Sequence, residues 1–272
     1  MPTASRNHPR VKQLRAAFAS HARLSGGLIA IEGEHLLIEA MHAGLTFETV
    51  FLSTRIEAAP AWLAPTVELL RLTPEVFASV ADTQTPQGIA ALVTPPTWTL
   101  GDLLPAHPAP LVLIAAGLQD PGNLGTLIRS AHAFAATGVL TLPGTVSPWN
   151  QKAIRASAGS VFRIPTIALS SIADLAELKR RGIHLYAAVA DSDGPGTKAP
   201  AIPVSAANLT QPCALIIGNE GAGIPADILA LADTRLTIPT PGRVESLNAA
   251  IAGSLLLYEA SRQRSHALTT TH

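Results

Sequence analysis

From Leu111 onward, short apolar runs alternate with stretches of helical periodicity, and this alternation restricts the possible fold more than any other feature of the chain. Leu111–Ala115, Val139–Leu142, Ile183–Val189, Ala214–Ile217 and Leu236–Ile238 are predominantly apolar. Runs of this kind suit strands buried on both faces. Between them, Leu124, Leu127, Ile128 and Ala131 fall at helical spacing, Ile172–Arg181 reads as a helix, and Leu247, Ile251, Leu255 and Tyr258 mark a long last helix. Strands separated by helices predict an α/β fold with a mostly parallel sheet covered on both sides.

The first half has a different pattern. Val11, Leu14 and Phe18 share a helical face, Leu28–Ile31 reads as a strand, and Gly33 and Glu34 open a second helix that Gly44 can end. Further strands are expected at Thr49–Leu52, Val67–Leu72 and Gly88–Val93. Thr94-Pro95-Pro96, then Pro105, Pro108 and Pro110, break regular structure. The expected division is therefore a small α/β domain over 1–95, a proline-rich linker over 96–110, a larger α/β domain over 111–264, and a loose tail over 265–272.

Composition narrows the class. Of 272 residues 47% are hydrophobic and 14% charged, which fits a globular chain. No apolar run approaches the roughly 18 residues of a membrane span. The polar, basic N-terminus is unlike a secretory signal, and the expected location is the cytosol. One cysteine, Cys213, leaves no disulfide framework or cysteine-built metal site, and it reads as core. Formal net charge is zero, so bulk charge does not point to nucleic acid. The charge is uneven, however: Arg6, Arg10, Lys12, Arg15 and Arg23 all precede the first acidic residue, Glu32. Clustered cations of this kind suit phosphate.

Three loops after strands contain residues that packing does not require. The first is Asp120-Pro121-Gly122-Asn123-Leu124-Gly125, with Arg129 further along the helix it opens. The second is Gly218-Asn219-Glu220-Gly221-Ala222-Gly223. Its glycines do not follow the G-x-G-x-x-G dinucleotide spacing, and no Gly-Lys-Ser/Thr of a P-loop follows. The third runs from Ile238 through Ser246, Leu247 and Asn248 into the last helix, where Ser246 is a candidate cap. Asp191, Asp193 and Gly194 resemble the start of a calcium loop but lack its later ligands. The nine histidines are scattered, so no metal is expected.

Taken together, DPGNLGTLIRSA, LIIGNEGAGIP and IPTPGRVESLNAAIAGSLLLYEA resemble the three signature segments of the SpoU/TrmH family of the SPOUT methyltransferase superfamily. Lys152–Gly159 is similar to a further segment of that family. HPRVKQLR, EGEHLLIEAMHAG and TPQGIAALV resemble the RNA-binding domain often fused in front of it.

The resemblance implies transfer of a methyl group from S-adenosylmethionine to a ribose 2′-hydroxyl of RNA, ribosomal rather than transfer RNA. It also implies a C-terminal trefoil knot and a homodimer with the active site across the subunit interface. Arg129 matches the family's catalytic arginine, and Asn123, Glu220, Ser246 and Asn248 match its other functional polar positions. Gly218, Asn219, Gly223, Ile238, Ser246 and Leu247 are the expected cofactor contacts. Arg6, Arg10, Lys12 and Arg15, with Lys152 and Arg155 of the catalytic half, are the expected RNA contacts. Thr240-Pro241 departs from the family, which often has methionine there. The alternatives are a transfer-RNA methyltransferase and a non-catalytic RNA-binding protein on the same scaffold. Removal of residues 1–95 is expected to leave cofactor binding intact and to weaken RNA binding.

Overall fold

A computed structural model describes residues 3–20, 22–24, 26–190, 200–242 and 246–269. In chain order it contains α1 (Pro9–Ser20), β1 (Ile29–Glu32), α2 (Glu34–His42), β2 (Thr46–Ser53), β3 (Glu68–Leu72), α3 (Pro74–Ala78), β4 (Ile89–Thr94) and α4 (Leu100–Leu103). It continues with β5 (Leu111–Ala116), α5 (Pro121–Ala133), β6 (Gly138–Thr141), α6 (Gln151–Ala156), β7 (Thr166–Ala168), α7 (Leu175–Arg180) and β8 (His184–Ala188). The last elements are β9 (Ile202–Pro203), β10 (Cys213–Gly218), α8 (Ala226–Leu229), β11 (Thr234–Thr237) and α9 (Ala249–Thr269). The calcium-like stretch at Asp191 to Gly194 lies outside the described residues.

The chain forms two compact units: Met1–Thr97 with Ser147–Arg163, and Trp98–Val146 with Ile164–His272. The first is built on a four-stranded sheet in the order β1-β4-β2-β3, antiparallel except for the β2–β3 pair. Helix α1 starts with Pro9, whose fixed φ suits a first helical position. It buries Val11, Leu14, Ala17 and Phe18 among Ala30, Phe51, Leu72, Phe77 and Leu92. Helix α2 ends at Gly44, whose φ of 76° no side chain adopts cheaply. There the Gly44 and Leu45 N–H groups donate to Met41 O and Ala40 O, which satisfies the last carbonyls.

Ser147–Arg163 belongs to this unit, although the sequence division placed it in the catalytic half. β1 is an edge strand, and the Gln151 side chain donates to its Ala30 carbonyl at 2.8 Å. The Arg23 guanidinium lies 4.5 Å from the Trp149 ring centre. Arg155 pairs with Asp82 at 2.6 Å and Arg163 with Glu39 at 2.9 Å. Gly159 sits where a Cβ would come within 2.7 Å of Glu39 Cβ. These contacts are distant in sequence, so local pattern alone does not reveal them.

The second unit has seven strands in the order β7-β6-β5-β10-β8-β11-β9, with every pairing parallel. Strand β5 is buried along its whole length and β10 up to Gly218. One face packs Val112, Ile114, Leu140, Leu185 and Ile216 against Leu103, Leu175, Leu178 and Ile228. Helix α9 packs on α5 and β10. Its Gly253 makes this approach possible, since a Cβ there would fall 2.3 Å from Leu127 Cδ2 and 3.2 Å from Ile217 Cγ1.

Two expectations need correction in this unit. The loose tail from 265 is helical as far as Thr269. The Arg264 guanidinium anchors that helix by donating to the carbonyls of Ala109, Leu209, Pro110 and Gln211. The proline-rich linker contains α4, where Asp102 accepts from Thr99 N and Oγ1, both at 2.7 Å. On α9, Ile251, Leu255 and Tyr258 are turned away from the core. They are 54%, 43% and 52% exposed, while Ala250, Leu256, Leu257 and Ala260 are buried. The helix has two apolar faces, and periodicity does not say which one the sheet covers.

Candidate functional site

Because the strands of the second unit run parallel, the loops at their C-terminal ends open on one side, where α/β folds gather ligands. The ends of β8, β10 and β11 and the entrance to α9 enclose a cavity of about 570 Å³, within the range of roughly 300–1,000 Å³ usual for small-molecule sites. All six expected cofactor contacts line it: Gly218, Asn219, Gly223, Ile238, Ser246 and Leu247. Val189, Ala190, Ile224, Leu236, Thr240 and Ala252 line it too. Apart from Thr240, which the sequence marks as a departure from the family's motif, these were not foreseen, because single small or aliphatic residues carry no chemical motif; their positions at strand ends are the signal that would have found them.

The loop after β10 is tightly folded. A Cβ on Gly218 would lie 2.4 Å from Gly223 C and 2.5 Å from Ile224 N, so glycine is required for the chain to turn back on itself. Asn219 and Gly223 exchange backbone hydrogen bonds of 3.0 and 2.9 Å. Both ends of the Asn219 side-chain amide are bonded inside the fold. Its Oδ1 accepts from Gly221 N and Ala222 N at 2.9 and 3.0 Å, and its Nδ2 donates to Gly117 O at 3.1 Å. It therefore shapes the cavity wall and ties this loop to the end of β5.

The three motif loops meet through side chains. Asp120 caps α5 by accepting from Gly122 N at 3.0 Å, which sets Asn123 in the first turn of that helix. Asn123 Nδ2 donates to Glu220 Oε1. Asn248 Nδ2 donates to Asn123 Oδ1 at 3.2 Å. Asn248 Oδ1 accepts from Ala250 N and Ile251 N at 2.9 and 3.2 Å. Asn248, rather than Ser246, thus caps α9. Ser246 instead faces the cavity.

Of the expected catalytic residues, Glu220 and Ser246 line the cavity, and Asn123 and Asn248 reach it through Glu220. Arg129 does not join them. It is exposed on α5 and has no hydrogen-bond or ion-pair partner among the described residues. Six helical residues separate it from Asn123, which is roughly 9 Å along the axis and about 120° around it. Among the described cavity residues, Glu220 carries the one titratable side chain. Cys213 is buried at the start of β10, and burial pushes its thiol pKa up even though Arg264 beside it opposes the shift.

All six expected RNA contacts belong to the first unit, including Lys152 and Arg155. Arg6, Lys12 and Arg15 are exposed and have no ion pair among the described residues. Arg10 pairs with Glu68 at 3.2 Å and Arg155 with Asp82. No group of three or more potential metal ligands occurs among the described residues, and none of the helices is long and apolar enough to cross a membrane.

Comparison with known proteins adds to this geometry. Residues 110–258 match the profile of the SpoU rRNA Methylase family, and residues 8–91 match that of the MRM3-like substrate binding domain. The chain is 34% identical over 256 residues to the 23S rRNA (guanosine(2553)-2′-O)-methyltransferase RlmP of Bacillus subtilis, covering 93% of this chain and 96% of the relative. It is 30% identical to the human mitochondrial rRNA methyltransferase 3, covering 87% and 68%. The crystal structure of the SpoU methyltransferase AviRb from Streptomyces viridochromogenes, in complex with AdoMet, superposes with a TM-score of 0.81. It is 27% identical and covers 95% of this chain and 99% of that one.

Proposed function

Since the chain belongs to the SpoU rRNA Methylase family, we propose that it transfers a methyl group from S-adenosylmethionine to a ribose 2′-hydroxyl in ribosomal RNA. The observation that carries this reading is the cavity shared by the second and third motif loops, joined through Glu220 and Asn123 to the first. Its glycine-lined wall brings main-chain groups close to a ligand, and its aliphatic lining suits a flat heterocycle. Relatives that align over both units and are named for one substrate act on ribosomal RNA, which favours ribosomal over transfer RNA. The reading includes the family's knotted C-terminal segment.

S-adenosylmethionine supplies an already activated methyl group when bound. The chain has to hold it, orient the ribose and handle one proton. Gly218, Gly223, Ile238, Ser246 and Leu247 would hold the cofactor. Glu220, fixed by the Asn248–Asn123 chain, would orient the sugar. A new bond forms from the 2′-oxygen to the methyl carbon as the carbon–sulfur bond breaks, and the hydroxyl proton must leave. Arginine, with a pKa above about 12, is a donor rather than a base. Arg129 would stabilise charge developing on the oxygen, with a phosphate of the RNA taking the proton.

The separation of Arg129 from Asn123 within one chain supports an active site shared between two subunits. The uncovered stripe of Ile251, Leu255 and Tyr258 on α9 supports a homodimer. Tyr258 meets the ring of Phe134 just past α5, at 5.8 Å, so the stripe is continuous with the helix that carries Arg129.

The test substitutes Arg129 with Ala and with Lys, measuring methyl transfer to ribosomal RNA beside cofactor binding by calorimetry. Loss of a charge-stabilising donor should lower turnover by roughly 100-fold or more while cofactor affinity is unchanged. Near-normal turnover in both variants would reject this role for Arg129. No affinity of the wild-type protein for S-adenosylmethionine would reject the function.

A further inference from the structure

We propose that the first unit carries a subsite for one unpaired nucleotide of the RNA, in a second cavity at the C-terminal ends of β2 and β3. The inference rests on the RNA-methyltransferase reading and adds where, and in what form, the RNA is gripped.

The cavity is about 320 Å³, at the lower end of the roughly 300–1,000 Å³ of small-ligand sites, and so suits a single nucleotide. Strands β2 and β3 are parallel, so their C-terminal ends open together. Phe77, 2% exposed, forms the floor, and Ile56, Pro74 and Pro86 supply apolar walls. Arg55 and Gln87 stand exposed at its edge. Unpaired RNA bases are commonly held by apolar or guanidinium surfaces, with hydrogen bonds read along the base edge. A guanidinium and a primary amide beside an apolar floor provide those elements.

The site is built rather than incidental. Gly88 has a φ of 84°, and a Cβ there would lie 3.1 Å from Ser53 Cβ and 3.4 Å from Ile56 Cδ1. Ser53 N donates to Gly88 O at 2.7 Å, which joins the two rims. The Arg71 guanidinium donates to Ile56 O and Glu57 O, which fixes the turn that bears Arg55. Gly33 has no Cβ to collide with the Gln87 amide, whose Oε1 lies 3.0 Å from where one would be.

Arg55 is the group at the rim that can meet a phosphate. At the rim, hydrogen bonds from its own backbone N–H and the Thr73 hydroxyl hold the Glu75 carboxyl below the usual carboxylate range, and the positive charges of Arg55 and Arg6 act in the same direction. Among the described lining residues Arg55 is the one cation and Glu75 the one anion, and Arg6 adds positive charge within electrostatic range of Glu75. Arg6 has no ion pair among the described residues.

The experiment uses the full chain and a fluorescein-labelled short single-stranded oligoribonucleotide, with an RNA duplex of the same sequence as control. Arg55→Ala and Gln87→Ala, singly and together, are compared with wild type by anisotropy over a salt series. Both side chains are exposed, and thermal melting confirms that the variants fold. The double variant should bind the single strand about tenfold more weakly, with the duplex much less affected. Arg55→Ala should flatten the slope of log K against log salt by about 1. Binding of labelled S-adenosylmethionine should be unchanged. Single-strand affinity and salt slope equal to wild type, in a protein that still methylates ribosomal RNA, would overturn the subsite alone. If wild type binds neither RNA nor S-adenosylmethionine, the methyltransferase reading and the subsite fail together.

Discussion

Asn248 performs two tasks that substitution can separate. Its Oδ1 caps α9 and its Nδ2 holds Asn123. Asn248→Asp keeps the capping oxygen and adds negative charge at a helix N-terminus, which is favourable, but it removes the donor to Asn123. Urea unfolding should therefore show stability close to wild type while methyl transfer falls. Asn248→Ala should in addition lose about 1 kcal/mol of stability. Methyl transfer at the wild-type rate in both variants would show that the Asn123 link is dispensable. Cys213 illustrates the opposite kind of residue. Burial raises its pKa, so the folded state holds the thiol proton more tightly than the unfolded chain does. Its contribution to stability is therefore present below the ordinary thiol range and lost as pH rises through the folded pKa. The native protein should leave this thiol unreactive toward a disulfide reagent at neutral pH, and urea should release one reactive thiol per chain. At this scale much was legible: the motif residues stood out because Asn, Glu and Gly in strand-end turns are not packing residues. The tie from Asn219 to the end of β5 was not legible, since its partner Gly117 lies over a hundred positions away.

Two glycines test how the elements are joined. Gly253 lets α9 lie against α5 and β10. Gly253→Ala gains about 1 kcal/mol of helix propensity but presses on Leu127, which is itself fully buried. Overpacking of about 1–3 kcal/mol should exceed that gain, and the melting temperature should fall. Gly218→Ala meets backbone atoms rather than a side chain. The loop after β10 must then open, so cofactor affinity should drop by about tenfold or more in calorimetry, with a smaller change in melting temperature. An unchanged affinity would mean that this turn does not shape the cavity. Most strands and long helices were readable because a period of 2 or 3.6 is a local property. Short elements were missed. Helix α3 has five residues and α6 has six, too few for a period to declare itself.

At the scale of the molecule, two surfaces carry predictions. The α9 stripe should be an interface between copies of the chain. Leu255→Glu should shift the protein toward monomer in light scattering and abolish methyl transfer. A variant that stays dimeric and active would remove the stripe from the interface. The second surface concerns Ser147–Arg163. Deleting residues 1–95 would leave Trp149, Ile154, Val161 and Phe162, all buried in the first unit, without their partners. The truncated chain should therefore melt at lower temperature and aggregate, whereas the sequence suggested a clean separation that spares cofactor binding. A truncation that binds S-adenosylmethionine with wild-type stability would restore the simpler division. The amino-acid order by itself determined the α/β alternation, the three loops and their polar residues, because periodicity and turn chemistry act over a few positions. Only the tertiary structure decided that residues 147–163 belong with the first unit, that Asn248, Asn123 and Glu220 form one chain, and which apolar face of α9 is left uncovered. Each of those depends on which surface meets which across long sequence separations, and no local pattern encodes that choice.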